Sequence, residues 1–186
     1  MEASFFYYRP HDMGWGGVLG HYLDKGFNVK LSHKLKKFGS PTIAVGLNDF
    51  AGTGLMTREY VVTTFNNSNF KYTLGLGWGA FSAEKSFSNP LGLFSDSFKS
   101  RTSVSSNYDL GGNFSTDLWF RGDASFFGGL EWYVPKANGL KFKIEYDPFD
   151  YQKLGTYNRA NFFDTELRKK DLNINFGLSY RISKFI

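Results

Sequence analysis

Four stretches of the chain alternate between apolar and polar positions. Phe70, Tyr72, Leu74, Leu76 and Trp78 fall on one face, with Lys71, Thr73, Gly75, Gly77 and Gly79 on the other. Leu140, Phe142, Ile144 and Tyr146 alternate with Lys141, Lys143, Glu145 and Asp147. From Asp171 to Ser183, Leu172, Ile174, Phe176, Leu178, Tyr180 and Ile182 oppose Asn173, Asn175, Gly177, Ser179 and Arg181. Near the start, Phe27, Val29, Leu31 and Leu35 oppose Asn28, Lys30, Ser32, Lys34 and Lys36. A period of two sends successive side chains to opposite faces, so each stretch reads as a strand with one apolar and one polar face. Four more strands are expected at about Ala3–Tyr8, Thr42–Asn48, Arg58–Phe65 and Ala124–Val134, making eight.

The connections between these strands alternate in length. Lys37–Pro41, Asn66–Asn69 and Pro135–Gly139 are short and rich in Gly, Asn, Ser and Pro, as tight turns require. Arg9–Lys25, Phe81–Asp123 and Pro148–Lys170 are long. Short turns on one side and long loops on the other characterise outer-membrane barrels, whose tilted strands span with ~9–11 residues. The expected architecture is all-β: an antiparallel up-and-down barrel of about eight strands, outer-membrane type, forming a single domain over 1–186. In a soluble lipid- or glycan-binding barrel the apolar face would point inward instead. Gly75, Gly77, Gly79 and Gly177 all fall on the polar face, where small residues suit the inside of a narrow barrel. On the membrane reading Leu74, Leu76, Ile144 and Leu178 face lipid, while Lys71, Thr73, Lys143, Glu145, Asn175 and Arg181 form a polar network in the lumen. Aromatics near strand ends (Phe5 to Tyr8, Phe65 with Phe70, Phe126-Phe127, Trp132-Tyr133, Tyr146 with Phe149) read as an interfacial girdle.

Composition narrows the function. Aromatic residues make up 19% of the 186, too many for a disordered chain. The absence of Cys removes disulfides, thiolate metal sites and cysteine nucleophiles. No run approaches the ~18 apolar residues of a spanning helix. The net charge of +5 is dispersed; its densest runs, Lys34–Lys37 and Arg168–Lys170, fall at element ends and read as solvated turns, so no nucleic-acid partner is expected. His11, His21 and His33 lack metal-ligand spacing, and there is no G-x-S-x-G elbow, H-E-x-x-H or phosphate loop. Gly75-Leu76-Gly77-Trp78-Gly79 lies inside a strand and cannot cradle a pyrophosphate. Glu145, Asp147 and Asp150 lack the EF-hand pattern. The expectation is therefore no catalytic residues, no metal and no cofactor; a membrane enzyme acting on lipid or glycan is the outlying alternative.

The loop Phe81–Asp123 exceeds the usual structureless length and carries recurrent Phe and Leu among its serines, so it is expected to contact a partner. Deleting Ser86–Ser106 is expected to leave the barrel folded. Trp15, Phe87, Phe94, Phe98, Tyr108 and Tyr157 are candidate glycan or partner contacts. Asn161–Asp171 has the caps of one or two helical turns.

Several motifs occur together in one order: Pro41 to Leu55 (PTIAVGLNDFAGTGL), Glu59 to Val62 (EYVV) and Leu74 to Gly79 (LGLGWG). Phe120 to Glu131 (FRGDASFFGGLE), Lys143 to Asp147 (KIEYD) and Asn175 to Arg181 (NFGLSYR) follow. In this combination, from Gly26 to Arg181, the chain resembles the YjbH family. The resemblance implies a Gram-negative outer-membrane β-protein tied to exopolysaccharide or group 4 capsule production. It also implies a lipid bilayer as partner, with polysaccharide and other export-machinery proteins. It brings no catalytic residues with it. Family members are several times longer, so the chain reads as a short homologue or one segment.

Overall fold

The computed structural model describes residues 1–8, 24–37, 39–52, 57–82, 85–102, 113–114, 116–137, 139–149 and 171–182. The strands are β1 (Glu2–Tyr8), β2 (Asp24–Lys34), β3 (Thr42–Asn48), β4 (Ala51–Gly52) and β5 (Arg58–Asn67). They continue with β6 (Phe70–Gly79), β7 (Asn113–Phe114), β8 (Ser125–Tyr133), β9 (Lys141–Tyr146) and β10 (Ile174–Ser179). Eight of them form one antiparallel sheet in the order β1-β2-β3-β5-β6-β8-β9-β10, a meander in which each long strand pairs with its sequence neighbours. The two short strands, β4 and β7, pair apart from it. The described residues hold no α-helix, only 3-10 turns at Ala80–Ser82, Pro90–Leu93, Asp96–Phe98 and Thr116–Leu118. The helical turns expected near Asn161–Asp171 lie almost wholly outside the described residues.

All eight expected strands are present, and the sheet is open. β1 and β10 are its two edges and do not pair with each other among the described residues. A meander needs only pairing between neighbours, whereas a barrel also needs its first strand hydrogen-bonded to its last.

The register aligns the apolar positions across the sheet. Phe65 opposes Tyr72, Tyr72 opposes Leu130, Leu130 opposes Ile144, and Ile144 opposes Phe176. Toward the other edge, Val61 opposes Val45, and Val45 opposes Leu31. This apolar face is the uncovered one: Leu74 is 58% exposed, Phe126 55%, Leu178 66% and Phe176 78%. The buried apolar residues number only six (Ala44, Trp78, Ala80, Leu118, Ala124 and Phe149), while twenty-five large apolar or aromatic side chains are exposed among those described. A sheet folded by water would show the opposite balance.

Aromatics at the short-turn end of the outward face form a stacked row. The rings of Phe70 and Trp132 are 6.3 Å apart, and those of Trp132 and Phe142 5.8 Å. Several residues expected in a girdle lie elsewhere, among them Tyr133, whose hydroxyl reaches Glu131 on the polar face. Phe127 points to the polar face, because it pairs with Gly75 and strand parity sends it opposite to Phe126. Phe149 is buried, 3% exposed, beyond the end of β9.

Candidate functional site

The polar face is furnished from three directions. Its floor is aromatic. A Cβ at Gly46 would collide with the Tyr60 ring, and one at Gly75 with the Phe127 ring, so the glycines are seats for aromatic side chains. Phe81, from the turn after β6, stacks on Phe127 at 4.7 Å and 7°. Tyr60 meets both rings edge-on at 6.2 Å. Gly79 has a different role: at φ +64° it turns the chain at the end of β6, a conformation costly for other residues.

Toward the short turns lies an ion network centred on Glu131. Lys71 Nζ is 2.9 Å from Oε1 and Lys141 Nζ 2.8 Å from Oε2, while the Tyr133 hydroxyl donates to Oε2 at 3.3 Å. β6 and β8 pair Lys71 directly opposite Glu131, so this contact follows from register. Between floor and network opens a cleft of about 380 Å³, lined by Arg58, Lys71, Thr73, Glu145, Asp147 and Phe149, among others. Asp147 Oδ1 accepts the backbone N–H of Phe149 at 3.0 Å, which fixes the turn that delivers the Phe149 ring.

Of the six residues expected to share a lumen network, Lys71, Thr73 and Glu145 line this cleft. Lys143 opposes Glu131 and Gly177 on the same face, and Asn175 opposes Glu145. Asn175 and Arg181 are exposed, and the Arg181 backbone N–H donates to the Gly139 carbonyl at 3.2 Å. The hub itself, Glu131, was absent from the expected set. Its signal was available: a carboxylate on the polar face directly across from Lys71. Among the described residues no cluster of His, Asp or Glu could hold a metal ion.

The segment after β6 crosses to the outward face and caps the ends of β5, β6 and β8. Glu59 occupies an outward position of β5, opposite Leu47 and Trp78, and is fully buried. Arg101 grips it with both nitrogens, Nη1 to Oε2 at 2.7 Å and Nη2 to Oε1 at 3.1 Å. The Phe120 N–H also donates to Oε2, at 3.2 Å. Asn89 ties the cap together, donating to the Phe98 and Phe120 carbonyls at 2.8 and 2.7 Å while accepting from the Leu91 N–H. Phe87 pairs with Ala124 through the backbone and packs on Phe126 at 5.0 Å. Phe98 is half-buried, whereas Phe94 is 84% and Leu93 89% exposed. Trp15, Tyr108 and Tyr157 lie outside the described residues. Neither Glu59 nor Arg101 was singled out as a functional pair from sequence.

Alternating faces, an uncovered apolar wall and Gly-seated rings on the polar face accompany the motifs quoted above. The chain matches the family model described as YjbH, exopolysaccharide biosynthesis protein, over residues 1–186. It belongs to the YjbH family. It is 35% identical over 162 residues to the uncharacterized lipoprotein YjbH of Escherichia coli (strain K12). That alignment covers 87% of this chain and 21% of the relative, so the chain spans about a fifth of the relative's length. No solved structure matches the chain significantly.

Proposed function

We propose that this chain forms a strand wall of outer-membrane β-barrel type and acts as a non-catalytic scaffold or accessory in exopolysaccharide or capsule production. One observation carries the reading. An apolar face runs across eight paired strands, interrupted on β5 by the capped Glu59, and most of it is exposed, while the polar face is filled and holds the cleft. Leaving so much apolar surface in water is unfavourable by about 25 cal/mol per Å². A bilayer removes that penalty and requires that backbone groups be paired in a sheet, as they are here. The relative's name, lipoprotein, supports an envelope location. Among the described residues no helix is long and apolar enough to cross a membrane, which leaves crossing by strands untouched.

Phe81–Asp123 then serves as a contact element for export partners or polysaccharide, within one domain over 1–186 that forms part of a longer wall. Single spin labels placed in turn at 70–79 test the membrane reading in native-like vesicles. Even-numbered positions from 70 to 76 should be relaxed by a lipid-soluble agent, and odd-numbered ones should not. Equal water exposure on both faces would remove it.

A further inference from the structure

The aromatic stack on the polar face ends in a cation that no carboxylate pairs with among the described residues. Arg58, the first residue of β5, sets its guanidinium carbon 5.2 Å from the Phe81 ring centroid and 5.6 Å from that of Phe149. Its Nε is buried with no hydrogen-bond partner. Among the described residues, the five ion pairs leave Arg58 without a carboxylate. The two ring contacts restrain the guanidinium, and with Nε buried it is the Nη1–Nη2 edge that is left for a ligand. That edge is a rigid fork matched to a planar carboxylate or to phosphate. A fork already held in place loses little freedom when a ligand arrives.

The surroundings define what the ligand is. Arg58 lines the cleft of about 380 Å³, near the lower end of the ~300–1,000 Å³ range of ligand pockets. Lys71, on the same cleft, is already engaged by Glu131 at 2.9 Å. Phe81 has Phe127 on one face and Arg58 on the other, so a sugar ring has no free face of Phe81 to stack on. Recognition therefore runs through charge and hydrogen bonds. Thr73 and the exposed Glu145 supply groups for hydroxyls, while Glu145 and Asp147 also oppose a nearby negative charge.

We propose that Arg58 is the oxyanion-binding residue of a saccharide subsite in this cleft, taking a carboxylate or phosphate carried by a short sugar chain. The oxyanion part stands on the geometry; the saccharide part rests on the exopolysaccharide reading above.

Calorimetric titration of the full chain in detergent micelles with digalacturonate, a neutral digalactoside and inorganic phosphate separates the two. Digalacturonate should bind, Arg58→Gln should weaken it at least about tenfold, and the neutral sugar should bind at least about tenfold more weakly than the acidic one. Arg58→Lys keeps the charge without the fork and should also weaken binding. Glu145→Gln removes an opposing charge and should tighten binding about two- to fivefold, an effect that loss of folding cannot imitate. Phosphate binding that depends on Arg58, with no binding of digalacturonate, would overturn the saccharide part alone. Equal binding of acidic and neutral sugars, equal binding by wild type and Arg58→Gln, or no binding of either anion would overturn the site. Spin-label accessibility at 70–79 reads the membrane proposal independently.

Discussion

Glu59 is a carboxylate on a strand face whose other members, Val61, Thr63 and Phe65, carry no charge, and its burial is tolerable only because Arg101 and the Phe120 N–H saturate it. Removing one partner leaves a buried charge, which costs about 3–5 kcal/mol, whereas replacing both with apolar residues is often neutral. Glu59→Ala should therefore lower unfolding stability in urea by about 3–5 kcal/mol, and Glu59→Leu with Arg101→Met should recover most of it. A single-variant loss below about 0.5 kcal/mol would mean that the pair is solvated. The glycine seats make a matching prediction. Gly75→Val should lose about 1–3 kcal/mol by displacing the Phe127 ring, and adding Phe127→Ala should restore part of that loss in the same assay. A charge interrupting an apolar face was the signal for Glu59, and the sequence reading passed over it. Arg101 was not, because it lies 42 residues away in a segment without periodicity.

Strands with a clean period of two were legible to within a few residues: β6 spans Phe70–Gly79, as its alternation says. Where alternation outran pairing, the element is shorter, and Asp171–Ser183 yields only Ile174–Ser179. The cap was illegible as structure, since side-chain-to-backbone bonds such as those of Asn89 leave no period in the chain. Its geometry also revises the expected deletion. Removing Ser86–Ser106 takes away both Asn89 and Arg101, strands Glu59, and should destabilise the sheet itself. A change confined to exposed residues separates contact from folding. Leu93→Ser with Phe94→Ser should leave unfolding stability within about 0.5 kcal/mol of wild type while reducing polysaccharide export in complemented cells. Unchanged export would make the tip of the cap a spacer.

At the scale of the whole molecule, the sheet has two unpaired edges among the described residues, and on the membrane proposal a wall in lipid tolerates none. The local hairpin signals that made the meander legible carry no information about pairing between its first and last strands. Tyr60, Phe81 and Phe127 fill the polar face between the strands that carry them, so the purified chain in planar bilayers should give no large, steady conductance. A wide, stable opening would instead indicate an assembled pore. The cap has one more effect. Outward apolar side chains on β6 run from Phe70 to Leu76 before Trp78 disappears beneath Phe120, their rings 5.2 Å apart. Along β10 and its flanks the outward series continues from Leu172 to Ile182, all strongly exposed except the less open Ile174. Each outward position adds roughly 7 Å along a strand, so the hydrophobic height differs around the wall. If the proposed membrane setting holds, a bilayer of uniform thickness cannot match both sides: it must thin beside β6, or the protein must lean toward the side where the cap sits.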